Sequence, residues 1–337
     1  MGSLLSLNKH GLYCEQGDFY IDPWRPLGTA FVTHAHADHS RYGAENYIAH
    51  RYSLPFMHHR LGKTANIKGV EYGEELTRNG VKVSLHPAGH ILGSAQIRVE
   101  HKGEVWVVSG DYKVAPDPSC TPFEPVKCHH FITEATFALP IYRWEEDDVI
   151  ISEIKEWWRQ NREVGKTSIL YAYALGKAQR ILQALADEPA PFGVHGAVLP
   201  YLSGYKAAGV KLPSVLSANA ENSSVLKKQA LIVAPPSAAN TSWLKKFAPH
   251  SQAFASGWMR VRGRRRRRAL DRGFVLSDHA DWPGLLQAID ATEAESVSVT
   301  HGASDILVRH LKEKGIDAKA LETRFGEDVE EEREVSK

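Results

Sequence analysis

Short apolar or alternating runs, each closed by a turn residue, fill the first 145 positions of the chain. GDFYID, GTAFVT, VKVSLH, AQIRVE, EVWVVSG and HHFITEA have the length and the β-branched content of strands. Within them, AQIRVEHKGEVWVVSGD reads as a hairpin turning at Lys102-Gly103, a register that sets Ser94 opposite Asp111. The period then changes. EEDDVIISEIKEWWRQNREVG is an amphipathic helix with a glycine stop; TSILYAYAL, a helix from Gly176 to about Ala186, QALIVAPP and SQAFASGW follow. Alternating strands and helices over residues 146–261 predict a compact α/β unit with a mostly parallel sheet. Beyond it the earlier style returns, with GFVLS and SVSVT each preceding a helix, WPGLLQAID and ASDILVRHLKEKG. The chain therefore reads as one domain in two parts, residues 1–145 and 262–326, interrupted by the unit at 146–261 and closed by an acidic tail at 327–337 that reads as a solvated end.

A chain of 337 residues, 43% of them hydrophobic, can bury a substantial core, which excludes a disordered protein. The net charge of +1 conceals an opposition between the arginine-rich stretch RVRGRRRRR and the tail EDVEEEREVSK. Only Cys14, Cys120 and Cys128 are present, without CxxC spacing, so neither a disulfide framework nor a thiolate zinc site is expected, and a reducing cytoplasm fits. No apolar run reaches the roughly 18 residues of a membrane helix, and no signal-peptide core is found.

The densest chemistry lies in FVTHAHADHS. His34, His36, Asp38 and His39 follow the strand GTAFVT, on a loop that can turn neighbouring side chains toward one point. Imidazole nitrogen and carboxylate oxygen are ligands of zinc and similar divalent ions. Four such groups left unpaired side by side would be costly to bury, which argues against a merely structural cluster. Further donors sit at other strand exits: His90 on the glycine-flanked loop AGHILGS, Asp111 after EVWVVSG, His279 after GFVLS and His301 directly after SVSVT. The inventory suffices for two metals.

These residues resemble the metallo-β-lactamase superfamily and, more narrowly, its nucleic-acid-processing β-CASP branch. THAHADH comes first, and AGHILGSA, SGDYK, TEATF, ALGKAQRIL, SDHADW and THG follow in order, from about Asp22 to Gly302. Within the branch, GWMRVRGRRRRRALDRGFVLSDHADW is similar to the bacterial ligase-associated DNA-repair exonucleases. The resemblance implies an α/β fold, a metallo-β-lactamase αββα sandwich carrying an inserted β-CASP α/β domain. It also implies that His34, His36 and His90 hold one metal, that Asp38, His39 and His301 hold the other, and that Asp111 bridges them. Asp22 would support the ligand loop from behind; the plainer reading is an Asp opening an Asp-Pro turn. Zinc or manganese suits the donor set.

Two divalent ions about 3.5–4 Å apart make hydroxide available near neutral pH and hold phosphate oxygens, which suits phosphodiester hydrolysis with Asp38 among the catalytic groups. His279, oriented by Glu134, is the candidate proton donor to the departing oxygen; the rival reading is a buried His-Glu pair kept for stability. Arg260, Arg262, Arg264, Arg265, Arg266, Arg267 and Arg268 predict contact with a phosphate backbone, against the simpler reading of a solvated basic face. The expectation is a DNA exonuclease of repair in the cytoplasm, acting on single strands or strand ends, without a membrane, and beside a DNA ligase or helicase of the same system. Its rivals are an RNA-processing β-CASP ribonuclease, a small-molecule metallo-hydrolase and a non-catalytic scaffold. Trp157-Trp158, at helical spacing, reads as packing, and Gly176-Lys177 either as a helix start that favours an anion or as a tight strand-to-helix turn.

Overall fold

The computed structural model describes residues 3–189, 191–261 and 270–323. The fold is mixed α/β, in two compact units: one runs through Arg143 and resumes at His279, and the other is Trp144–Asp278. Among the described residues no helix is long and apolar enough to cross a membrane.

The first unit holds two sheets. In the six-stranded one, Ser6–Leu7, Leu12–Cys14, Phe19–Ile21, Thr29–Phe31, Asn46–His50 and Ile67–Val70 lie side by side in chain order. The seven-stranded sheet runs Asp317–Ala320, Ser296–Thr300, His130–Glu134, Glu104–Val108, Ala95–His101, Val81–Pro87, Leu76–Arg78. Its side chains alternate as the period of a strand requires. Trp106, Val108 and Ile132 pack with Phe19, Ile21 and Phe31 of the other sheet. Val107, Phe131, Val297 and Val299 pack instead with Leu285, Ile289, Leu307 and Leu311 of the helices Trp282–Thr292 and Ser304–Glu313. A slip of one residue would exchange the two sets, and each buried Val, Ile or Phe contributes about 1.5–3 kcal/mol, so register is strongly specified.

That register delivers the polar residues. The hairpin turns at Lys102 and Gly103, both at positive φ (51° and 85°), and pairs Val108 with Ile97. Beyond Val108, Ser109 N donates to Ile132 O at 2.9 Å, and Asp111 follows two residues on. Glu104–Val108, His130–Glu134 and Ser296–Thr300 run parallel, with Glu134 registered on Thr300. The carboxyl ends of three neighbouring strands therefore feed Asp111, Glu134 and His301 to one edge.

The second unit is built on a six-stranded parallel sheet in the order Val215–Ser217, Phe192–Val194, Leu231–Ala234, Thr167–Tyr171, His250–Ala255, Arg272–Phe274. The helix Asp147–Glu163 buries Ile150, Ile154, Trp157 and Trp158 against it. Both indoles are packing residues: Trp157 Nε1 donates to Ser251 Oγ at 3.3 Å and Trp158 Nε1 to Gln229 O at 2.8 Å. One expectation is corrected. The strand within GFVLS does not rejoin the first domain, because Arg272–Phe274 pairs with His250–Ala255 and Phe274 and Leu276 sit in the core around Trp157. The units divide between Asp278 and His279, not at residue 261.

Candidate metal centre

The loop after Thr29–Phe31 is held by one buried carboxylate. Asp22, itself at φ 42°, accepts from Thr33 N at 2.8 Å and Thr33 Oγ1 at 2.5 Å, and its Oδ2 lies 2.7 Å from His39 Nδ1. It thus ties both ends of the THAHADH segment, well beyond opening an Asp-Pro turn. Ser40 N donates to His36 O at 2.8 Å, rounding the loop between them, and Ala95 N donates to Thr33 O at 2.8 Å, joining it to the second sheet. The approach of Asp111 depends on Gly110. At φ 57°, any β-carbon there would stand 2.6 Å from Thr33 Oγ1. His90 rests on Ser94, whose Oγ accepts from His90 N at 3.1 Å and Ile91 N at 3.2 Å.

Among the described residues three donor groups result: His34, His36, His90 and Asp111; Asp38, His39 and His301; and Asp111, Glu134 and His279. In the first, His36 Nδ1 lies 3.1 Å from both His34 Nε2 and His90 Nε2, and Asp111 Oδ2 lies 3.4 Å from His34 Nε2 and 3.7 Å from His90 Nε2. Donors about 2.0–2.2 Å from one tetrahedral ion stand about 3.3–3.6 Å apart, so this spacing fits a single cation. In the second, His39 Nε2 is 3.4 Å from Asp38 Oδ2 and 3.6 Å from Asp111 Oδ2, and the His39 and His301 rings stack at 5.5 Å.

Electrostatics agree with the geometry. Burial pushes His34 down to about 4, with His39 acting in the same sense, and depresses His90 and His301 too, which keeps these rings neutral near pH 7 with a lone pair to offer. Burial also opposes the charged form of His39, but the carboxylates of Asp38, Asp111 and Asp22 outweigh it and hold that imidazole well above its ordinary value. For Asp38 and Asp111, burial favours the neutral acid, yet His39 foremost among the neighbouring imidazoles keeps both carboxyls below the usual range. Three carboxylates around one imidazolium leave a deficit of positive charge that divalent cations would meet.

Glu134, fully buried, accepts from Tyr112 N at 2.8 Å and faces His279 Nδ1 at 3.0 Å and 2.9 Å with its two oxygens. The His279 ring centre is 4.7 Å from that of His90, which places the pair against the first donor group. Of the arginines, Arg260 is described, with Nη1 3.9 Å from Glu145. Arg262, Arg264, Arg265, Arg266, Arg267 and Arg268 lie outside the described residues.

No protein-family model matches the chain. Among curated relatives, a protein of Opitutus terrae named "Probable DNA ligase" is 29% identical over 93% of this chain and 30% of its own length. "Cleavage and polyadenylation specificity factor subunit 3" of Dictyostelium discoideum is 31% identical over 36% of this chain and 16% of that protein. "RNase aCSPSF2" of Saccharolobus solfataricus is 27% identical over 42% and 29%. The match covers less than a third of each of these three proteins. A solved structure of a protein of unknown function from Enterococcus faecalis V583 shares the fold, with a TM-score of 0.61 and 11% identity over 89% of this chain and 80% of that one.

The motifs read in the sequence contain several supports without giving them this role: Thr33, Gly110, Ser94 and the Tyr112 amide are residues whose role depends on contacts made after folding. Gly302 is another. It follows His301, both residues are left-handed (φ 62° and 54°), and a β-carbon on Gly302 would stand 2.2 Å from Ala135 O, which accepts from Ala303 N. Gly302→Ala should cost about 1–3 kcal/mol from backbone strain alone and displace His301. Denaturant unfolding and metal titration would register this as a lower midpoint together with weakened binding at one of two sites.

Proposed function

We propose that this protein is a metal-dependent nuclease that hydrolyses phosphodiester bonds in DNA, working from strand ends as an exonuclease of repair. The observation that carries the reading is Asp111. One of its carboxylate oxygens lies within 3.4–3.7 Å of His34, His39 and His90 Nε2, imidazoles drawn from the first two donor groups. That proximity supports a shared ligand. His34, His36 and His90 would hold one ion, Asp38, His39 and His301 the other, zinc or manganese in each.

When bound, divalent ions supply Lewis acidity to an attacking water and to phosphate oxygens. The protein's own groups arrange the rest. Asp22 engages Nδ1 of His39, so that Nε2 faces Asp38 and Asp111. Asp38, a quarter exposed, is the carboxylate of its group that substrate and water can reach. With Nδ1 of His279 on Glu134, transfer of a proton to the departing sugar oxygen falls to Nε2.

DNA is favoured by the extent of the match to the protein named as a ligase, which takes in 93% of this chain; the arginine run suits a phosphate backbone of either kind. A DNA ligase or helicase is then the natural partner. RNA is the second reading, favoured by relatives named ribonuclease or endoribonuclease over 36–48% of the chain. End-labelled single strands of matched DNA and RNA, incubated with zinc or manganese, separate the two: stepwise shortening of DNA is expected, and internal cuts confined to RNA would reverse the assignment. Binding should weaken steeply with salt. Replacing Arg264, Arg265, Arg266, Arg267 and Arg268 with glutamine should flatten the plot of log affinity against log salt by about 0.7–0.9 for each phosphate that is no longer neutralised.

A further inference from the structure

The second unit buries more charge than its packing explains. Arg180 and Lys177, on the helix Lys177–Ala184, are 4% and 3% exposed, and Asp278 is 3% exposed. Arg180 Nη1 donates to Ser277 O at 2.6 Å and to Asp278 Oδ1 at 2.7 Å, while Nη2 donates to Asp147 Oδ2. Lys177 Nζ lies 3.3 Å from Asp278 Oδ2 and 4.9 Å from the centre of the Tyr173 ring. Both oxygens of Asp278 therefore face a cation.

Taking ionised groups out of water offers little net stability, and well-packed apolar residues would serve as well. What the arrangement supplies is direction. A guanidinium whose Nη1 meets a backbone carbonyl and the next residue's carboxylate, while Nη2 is held by Asp147, fixes the peptide at a set angle, which a point charge without planar geometry cannot do. Asp278 is one peptide bond from His279. On the far side, Ala280 N donates to Tyr112 O at 2.7 Å, and the amide of Tyr112 donates to Glu134, the partner of His279. The backbone of His279 is thus held before and after the residue.

We propose that Arg180 is a positioning residue for His279: by fixing Ser277 and Asp278 it keeps the imidazole in line with Glu134. The inference rests on the role given to His279 above. Arg180→Lys keeps the charge and loses the fork; Arg180→Met removes both. With Arg180→Lys, kcat on the strand the enzyme cleaves should fall about tenfold to a hundredfold, while KM and bound metal stay at wild-type values. In metal-free protein, the imidazole NMR signals of His279, assigned with His279→Ala, should move or broaden. Mere loss of stability would lower the unfolding temperature and leave those signals in place. Should Arg180→Met fail to fold, Arg180→Lys decides alone. Wild-type kcat or unmoved His279 signals in folded Arg180→Lys, beside an inactive His279→Ala, overturn the proposal. Full activity in His279→Ala removes the reading beneath it, and the proposal with it.

Discussion

Asp111→Ala strips metal from both halves of the centre together: bound ions fall from about two per chain to near none, and cleavage falls at least about a thousandfold. The expectation follows from the sharing of one oxygen. Asp111 Oδ2 lies 3.4 Å from His34, 3.6 Å from His39 and 3.7 Å from His90, so its loss takes an anionic donor from two groups at once. The remaining donors in the first group would be three imidazoles without a carboxylate. Elemental analysis of dialysed protein, alongside turnover on a labelled strand, checks this. A variant that kept two ions and full turnover would refute the bridging assignment.

His279→Ala should give the opposite pattern, with both ions retained and cleavage slowed by about a hundredfold to ten-thousandfold, the usual worth of a positioned proton donor. The residue is placed for that outcome. Its Nδ1 is engaged by a fully buried carboxylate, and its ring adjoins His90 without belonging to the groups of His34, His36, His90 and Asp111 or of Asp38, His39 and His301. Glu134→Gln should slow cleavage less, since an amide oxygen still accepts from Nδ1 but stabilises the imidazolium weakly. Loss of metal in His279→Ala would instead make the residue a ligand, an arrangement that Asp111, Glu134 and His279 are near enough to form.

What was legible in the sequence was local. HxHxDH places four donors on one loop, and alternation along AQIRVE and EVWVVSG sets a register that carries His90 to Asp111 without knowledge of the rest of the fold. Strand exits at Thr300 and Glu134 were readable for the same reason. Partner choice was not. GFVLS has the composition of a strand, but nothing in five residues states which sheet it will join, and the choice depends on Phe274 meeting Trp157 at 5.7 Å, 117 positions away in the chain. The supports at Thr33 and Gly110 were hidden likewise, since a hydroxyl and a missing β-carbon acquire meaning only once two loops touch. Asp22 was visible as a residue, but its grip on both Thr33 and His39 needed coordinates.

The distribution of donors along the chain has a consequence for biosynthesis. His34, His36, His90 and Asp111 have all been joined to the chain while His301 is still about 190 residues from being made, roughly 10 to 40 s of elongation. Over that interval the edge of His130–Glu134 also waits for Ser296–Thr300, its neighbour in the sheet. One half of the centre can therefore assemble on the nascent chain, and the other half closes only once His301 has followed, so any chemistry that needs both halves waits on that residue.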